Sequence, residues 1–213
     1  INLDMTVGAA DSIPYAFNEM LNNAIDHSCG TTVNIKFWAN SEFWGFEITD
    51  NGIGIFRVIK EGFNLDTIFE SSQELTKGKR TTDPTKHSGE GIFFTSKSVD
   101  VFSLSSNMVT LVIDNERKDH GLGQGSTEPG TKVFVKLETN TVRRLTEIIS
   151  DFSTDHNFVR TRPAISLFDI GVLFVSRSQA RRLLIGLENF SEIEVDFNGV
   201  ETVGQGFADE LFR

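Results

Sequence analysis

Three short stretches of this 213-residue chain carry polar side chains at spacings suited to chemistry on a charged ligand. Wound as a helix, the run Pro14 to Ser28 (PYAFNEMLNNAIDHS) returns Glu19, Asn23 and Asp26 to one face, since steps of four and seven residues nearly close at about 100° per residue. An ordinary solvated face is rich in Lys and Glu; this one has adjacent asparagines, which are mediocre helix formers. Glu19 and Asn23 point at one volume, and a carboxylate beside an amide oxygen offers hard oxygen donors of the kind Mg2+ takes. Asp50 ends an apolar run and is followed by Asn51-Gly52-Ile53-Gly54. A carboxylate at a strand end can accept a hydrogen bond from an exocyclic amine, while glycines let a flat ligand approach the main chain. Further on, Ser88-Gly89-Glu90-Gly91 opens the helical run IFFTSKSVD. A glycine-flanked turn at a helix start presents unpaired N–H groups and the positive end of the helix dipole to an anion. Each stretch also has a plain structural reading: an amphipathic helix with a solvated outer face, a turn capped by Asp50, and a loop.

The elements around these residues follow from periodicity. Asp11 or Ser12 serves as N-cap of the first helix, with Pro14 in its first turn and Gly30 as the stop after its end. Residues before Asp11 give only a weak edge-strand signal. Phe17, Met20, Leu21 and Ala24 form the core side of the helix. VNIKFW and FWGFEITD read as a hairpin about Ala39 to Glu42; Val33, Ile35 and Phe37 alternate on one strand, Phe46 and Ile48 on the other, giving a sheet face to cover the helix. From Phe56 to Lys86 no long periodic element stands out, and SSQELTKGKRTTDPTK reads as loop. Lys77, Lys79, Arg80 and Lys86 crowd there with the single acid Asp83, as a solvated basic loop or as a mobile lid lending charge to phosphates. DVFSLSS and MVTLVID predict a hairpin over Ser106-Asn107, then a glycine-rich loop from Gly121 to Gly130 and the strand TKVFVKL. After a composition break and a short helix within TVRRLTEIISDF, the pattern becomes strand–helix alternation: GVLFVS, SRSQARRLLIGLENF with a Ser176-x-x-Gln179 capping box, EIEVDFNG and GFADELF. Ala180, Leu183, Leu184 and Leu187 mark the buried face of the helix in that unit.

A formal charge of −10 and a pI near 4.9 argue against binding nucleic acid or anionic membrane through the whole surface. The single cysteine, Cys29, excludes an internal disulfide and fits a reducing cytoplasm. No apolar run reaches the ~18 residues of a membrane span, and no signal-peptide pattern opens the chain, so a cytoplasmic protein is expected. Starting at Ile1 and stopping at Leu211-Phe212-Arg213, the sequence reads as a piece of a longer protein.

In this order and spacing, Glu19/Asn23, Asp50-Asn51-Gly52-Ile53-Gly54 and Gly89-Glu90-Gly91-Ile92 resemble the N, G1 and G2 boxes of the GHKL ATP-binding superfamily. Its members include histidine-kinase catalytic domains, DNA gyrase B, the MutL repair proteins and anti-sigma-factor kinases. The resemblance implies a two-layer α/β sandwich of the Bergerat type over residues 1–140. It implies ATP and Mg2+ as ligands, Asn23 as metal ligand and Glu19 as general base toward the attacking water or hydroxyl. It further implies Asp50 as the contact to the adenine amine, with Gly52, Ile53 and Gly54 around the base, and Ser88, Gly89, Glu90, Gly91 and Ile92 at the phosphates with Lys86 from the lid. Gly130-Thr131 resembles the late GT strand, whose hydroxyl bonds the adenine-binding Asp; Thr131 is equally a good strand former. Residues 157–213 resemble a STAS-like α/β domain distantly similar to anti-sigma-factor antagonists, joined by a linker helix over 141–156. Where those antagonists carry their switch serine, this chain has Gly204-Gln205-Gly206. The expected function is a Mg2+-dependent ATP-binding regulatory switch, a slow ATPase or serine kinase, with a protein partner docked on the STAS-like unit and a homodimer left open. The catalytic part of a sensor histidine kinase and a non-catalytic nucleotide-binding module are the alternatives.

Overall fold

The computed structural model describes residues 6–76, 90–152, 164–166, 175–184, 194–197 and 200–213. The chain divides into two compact units, 1–150 and 151–213.

The first unit is built on six antiparallel strands: β1 (Val33–Ala39), β2 (Phe43–Asp50), β3 (Val101–Ser106), β4 (Val109–Asp114), β5 (Asp119–Gln124) and β6 (Thr131–Glu138), in the order β1-β2-β6-β3-β4-β5. Alternation puts every second side chain on the face that the helices cover. Two apolar rows cross the sheet there. Phe46 stands opposite Val135, which pairs Phe102, which pairs Ile113; Ile48, Val133, Leu104 and Leu111 form the row beside it. Onto this face pack Ala9, Ala16, Met20 and Ala24 of α1 (Val7–His27) and Phe56 of α2 (Ile55–Gly62). Helices α3 (Ile68–Thr76) and α4 (Gly91–Ser98) complete the layer, α4 lying against α1. The two-layer α/β sandwich is thus present. β1 is an edge strand, however: Val33 packs on the core, while Ile35 and Phe37 are exposed, the Phe37 ring lying 5.1 Å from that of Phe17.

Several boundaries differ from the sequence reading, each for a local reason. Helix α1 begins at Val7 with Thr6 as cap, its hydroxyl accepting from Ala9 N–H, so residues 7–10 are helix and Asp11, Ser12 and Pro14 lie inside it. Small residues make this possible: Gly8 meets the Arg143 carbonyl so closely that a Cβ would overlap it, and Ala9 is fully buried. At the other end Cys29, with φ 55°, takes the left-handed position assigned to Gly30. Between Phe56 and Thr76 there are two helices rather than loop. Phe56 and Ile59 bury one side of α2, and Thr67 with Glu70 forms a capping box on α3, Glu70 Oε2 accepting from Asp66 and Thr67 N–H. Residues 77–89, which hold the basic run, lie outside the described residues. The β3–β4 turn is Asn107-Met108, one residue later than expected. Part of the predicted glycine loop is β5, where Gly121 and Gly123 face open space and Leu122 packs on the core.

A strap leaves β6 and ties the helices together. Thr6 N–H donates to the Thr139 carbonyl and the Thr6 hydroxyl to the Thr141 carbonyl (2.9 Å). Arg143 Nε lies 3.2 Å from Asp100 Oδ1, just past α4, and its Nη2 donates to the Asn115 carbonyl (2.6 Å). Helix α5 (Leu145–Phe152) follows.

In the second unit β7 (Ala164–Ser166) and β8 (Glu194–Asp196) pair in parallel, and α6 (Arg177–Leu184) packs against α7 (Gln205–Leu211), with Ala180, Leu183 and Phe207 buried. The predicted capping box forms: Gln179 Oε1 accepts from Val175 and Ser176 N–H, while Ser176 Oγ accepts from Gln179 N–H. Most of GVLFVS, and Leu187, lie outside the described residues.

Candidate functional site

The alternation that fills the core also builds the site. Continuing the apolar rows one step brings in Asp50 after Phe46 and Ile48, Thr131 before Val133 and Val135, and Ser106 after Phe102 and Leu104, with Ser106 opposite Thr131. Polar residues thus occupy core-facing positions at one end of three neighbouring strands. Asp50 is buried (5% exposed), and its Oδ1 accepts from Gly52 N–H (2.8 Å) and Thr131 N–H (3.3 Å). Burial raises the Asp50 carboxyl above its ordinary range, and hydrogen bonds from Gly52 and Thr131 pull it partly back. A carboxylate held this way retains accepting capacity for a ligand amine.

The Gly52–Gly54 loop is fixed on both sides. Ile53 N–H donates to the Ser28 carbonyl (2.9 Å), and Asn51 Oδ1 accepts from Thr31 and Thr32 N–H (2.8 and 3.0 Å). Gly30 and Gly52 are needed for this approach: a Cβ at 30 would meet Asn51 Oδ1 at 2.7 Å, and one at 52 would overlap the Ser28 carbonyl. Thr131 Oγ1 accepts from Ile55 N–H (2.9 Å), linking the late strand to the start of α2. Gly130, at φ 95°, lies against the Asp50 carbonyl with no room for a Cβ.

Helix α1 brings Glu19 and Asn23 half-buried to one side, while Asp26 is exposed. The Glu19 carboxylate lies against Gly91, the first residue of α4, where a Cβ would overlap Oε2. Glu90 is the N-cap of α4, with its carbonyl accepting from Phe94 N–H (2.9 Å), and Ile92 packs on the core. Tyr15, one turn before Glu19, has its phenol pushed upward by burial and by the Glu19 and Glu90 carboxylates. Glu19 and Glu90 therefore meet at the start of α4, beside N–H groups able to hold an anion. Of the residues expected here, Lys86, Ser88 and Gly89 lie outside the described residues. Among the described residues no three His, Cys, Asp or Glu side chains gather to hold a metal ion.

Sequence reasoning missed Tyr15, Ser106 and Asn107. Ser106 was signalled by the alternation Phe102, Leu104, Ser106; Asn107 had no signal beyond its fitness for a turn. Among the described residues no helix is long and apolar enough to cross a membrane.

Residues 8–141 match the family described as histidine kinase-, DNA gyrase B-, and HSP90-like ATPase, and residues 179–213 match a STAS-like domain of unknown function. None of the curated proteins matches the chain. Among solved structures, one titled "Crystal Structure of N terminal domain of a DNA repair protein" aligns at 17% identity and a TM-score of 0.40, over 68% of this chain and 43% of that one. The chain spans less than half the length of that relative. With a family match over residues 8–141, more than half of its length, the chain belongs to the histidine kinase-, DNA gyrase B- and HSP90-like ATPases and carries a GHKL-type ATP-binding domain.

Proposed function

We propose that this protein is a Mg2+-dependent ATP-binding regulatory switch that turns ATP over slowly, by hydrolysis or by transfer to a serine, and that its STAS-like unit docks a protein partner. The approach of Glu19 to the first residue of α4 carries the reading. A pure nucleotide binder has no use for a carboxylate at the phosphate end of its site.

Each residue contributes by its chemistry. Asp50 accepts from the adenine amine, oriented by Thr131, while Gly52, Ile53 and Gly54 give the base a close wall. Glu90, Gly91 and Ile92 open α4 toward the phosphates, with Ser88, Gly89 and Lys86 completing that end. Asn23, half-buried one turn after Glu19, supplies an oxygen that fits Mg2+, a cation that keeps several waters and shares phosphate oxygens. When bound, the ion neutralises phosphate charge. Glu19 holds and orients the attacking water or hydroxyl and takes its proton.

In the second unit, Arg177 and Arg181 are paired with Asp209 (3.6 Å) and Glu210 (2.8 Å) of α7. These exposed pairs link α6 to α7, so an acidic partner would compete with Asp209 and Glu210 for the arginines. Gly204-Gln205-Gly206 begins α7 with no hydroxyl, which favours docking over a phosphoserine switch there.

The test is single-turnover ATP consumption by Glu19→Gln. Turnover should fall about 10²–10⁴-fold, the range for a lost general base, with ATP affinity within a few-fold. Wild-type turnover in the variant would remove Glu19 as the base, and no turnover in either protein would leave a non-catalytic nucleotide-binding module.

A further inference from the structure

The side chains of the β3–β4 turn reach both glycine segments that frame Asp50. Asn107 and Met108 have φ of 49° and 68°, the two positive values of a type I′ turn, a conformation asparagine tolerates. The Asn107 amide works across the gap to the neighbouring loop. Its Nδ2 donates to the Ile53 carbonyl (3.2 Å), and its Oδ1 accepts from Arg57 N–H (3.1 Å), a first-turn donor of α2 that no intrahelical carbonyl can serve. Gly54, with φ 86°, lies between these two bonds, and a Cβ there would overlap Asn107 Oδ1 and Ser106 Oγ. Ser106 is buried, and its hydroxyl donates to the Gly130 carbonyl (2.8 Å), directly before the Thr131 that bonds Asp50. One dipeptide therefore bonds to Ile53–Arg57 on one side and to Gly130 on the other.

A glycine-containing loop has many conformations to lose, and something must hold it in one. We propose that Asn107 is a positioning residue for nucleotide selectivity: together with the Ser28 carbonyl and the Thr131 hydroxyl, it fixes the Ile53–Ile55 loop at the distance from Asp50 that an adenine ring requires. The inference rests on the reading of Asp50 as the acceptor for the adenine amine. Guanine presents a carbonyl oxygen where adenine presents that amine, so a carboxylate rejects it only while the base is kept in register. A slack loop lets the ring shift, and discrimination falls.

The test compares equilibrium binding of ATP and GTP to the wild type, Asn107→Gly, Met108→Gly and Asp50→Asn. Glycine at 107 keeps the turn and removes the amide; glycine at 108, an exposed position of the same turn, leaves the amide in place. Asn107→Gly should weaken ATP about tenfold, the scale of one or two lost hydrogen bonds, and leave GTP nearly unchanged, so the ATP:GTP preference drops. Met108→Gly should keep the wild-type preference. Asn107→Asp, which retains the acceptor but sets a carboxylate against the Ile53 carbonyl, should repeat the loss if the glycine variant fails to fold. A wild-type preference in both Asn107 variants, with Asp50→Asn lowering it, overturns the positioning role alone. A preference unmoved by Asp50→Asn overturns the role together with the Asp50 reading. A loss equal in Asn107→Gly and Met108→Gly means the turn matters only for folding and overturns it too.

Discussion

The Glu19 carboxylate rests on the backbone of Gly91, so the middle of α1 and the first residue of α4 meet with no room for a side chain between them. Gly91→Ala would put its methyl where Oε2 now lies. The obstacle is the far end of a flexible side chain, so the carboxylate swings aside and the fold survives. Alanine is also the better helix former, which keeps stability level or slightly raised. We expect a melting temperature close to wild type and a single-turnover rate lower by about 10–100-fold, short of complete loss of the base. An unchanged rate would mean that the position of Glu19 does not matter to turnover.

Asp50 predicts a pH dependence of stability. Burial raises its folded pKa above the ordinary 3.8, so its contribution to stability is complete below 3.8 and is lost as pH rises through the raised value. At neutral pH the ionised group is a cost to the ligand-free protein. Asn at 50 is neutral and can still accept from Gly52 and Thr131. Asp50→Asn should therefore melt at or above wild type at pH 7, with the gap closing as pH falls toward 4. Thermal melts across that range check it; a variant that melts well below wild type at pH 7 contradicts it.

The strap supplies a stability prediction far from the chemistry. Asp100 is 5% exposed, accepting from Arg143 Nε, from the Thr141 hydroxyl (3.2 Å) and from Glu138 N–H (2.7 Å). Arg143→Met leaves that charge without its cation. Chemical denaturation should show a loss of about 2–4 kcal/mol, below the full cost of breaking a buried pair because Arg143 is 29% exposed. Adding Asp100→Asn should recover part of it. A loss under about 0.5 kcal/mol would show the pair to be dispensable.

What was legible in the sequence was whatever periodicity and glycine placement control locally. The core sides of α1 and β2, the Ser176–Gln179 cap and the glycine turn after Asp50 follow from such signals. Tertiary contacts decided the rest. Helix α1 gains its first residues because Gly8 and Ala9 fit beneath the 141–144 strap, which no local rule foretells. Helices α2 and α3 are only eight and nine residues long, too short for a periodic window, although Thr67-x-x-Glu70 marked the second. Strand β5 survives its glycines because it is an edge whose Leu122 reaches the core. Asn107 enters the site only through the close approach of two turns distant in sequence.

Calorimetric titration of ATP with Mg2+ into wild type and Asp50→Asn bears most directly on the central claim, that this end of the sheet binds the adenine of ATP. The wild type should bind, more weakly when Mg2+ is withheld, and Asp50→Asn should lose about 1–3 kcal/mol of affinity, the scale of a hydrogen bond to a charged group. Equal ATP affinity in the two proteins would contradict the assignment.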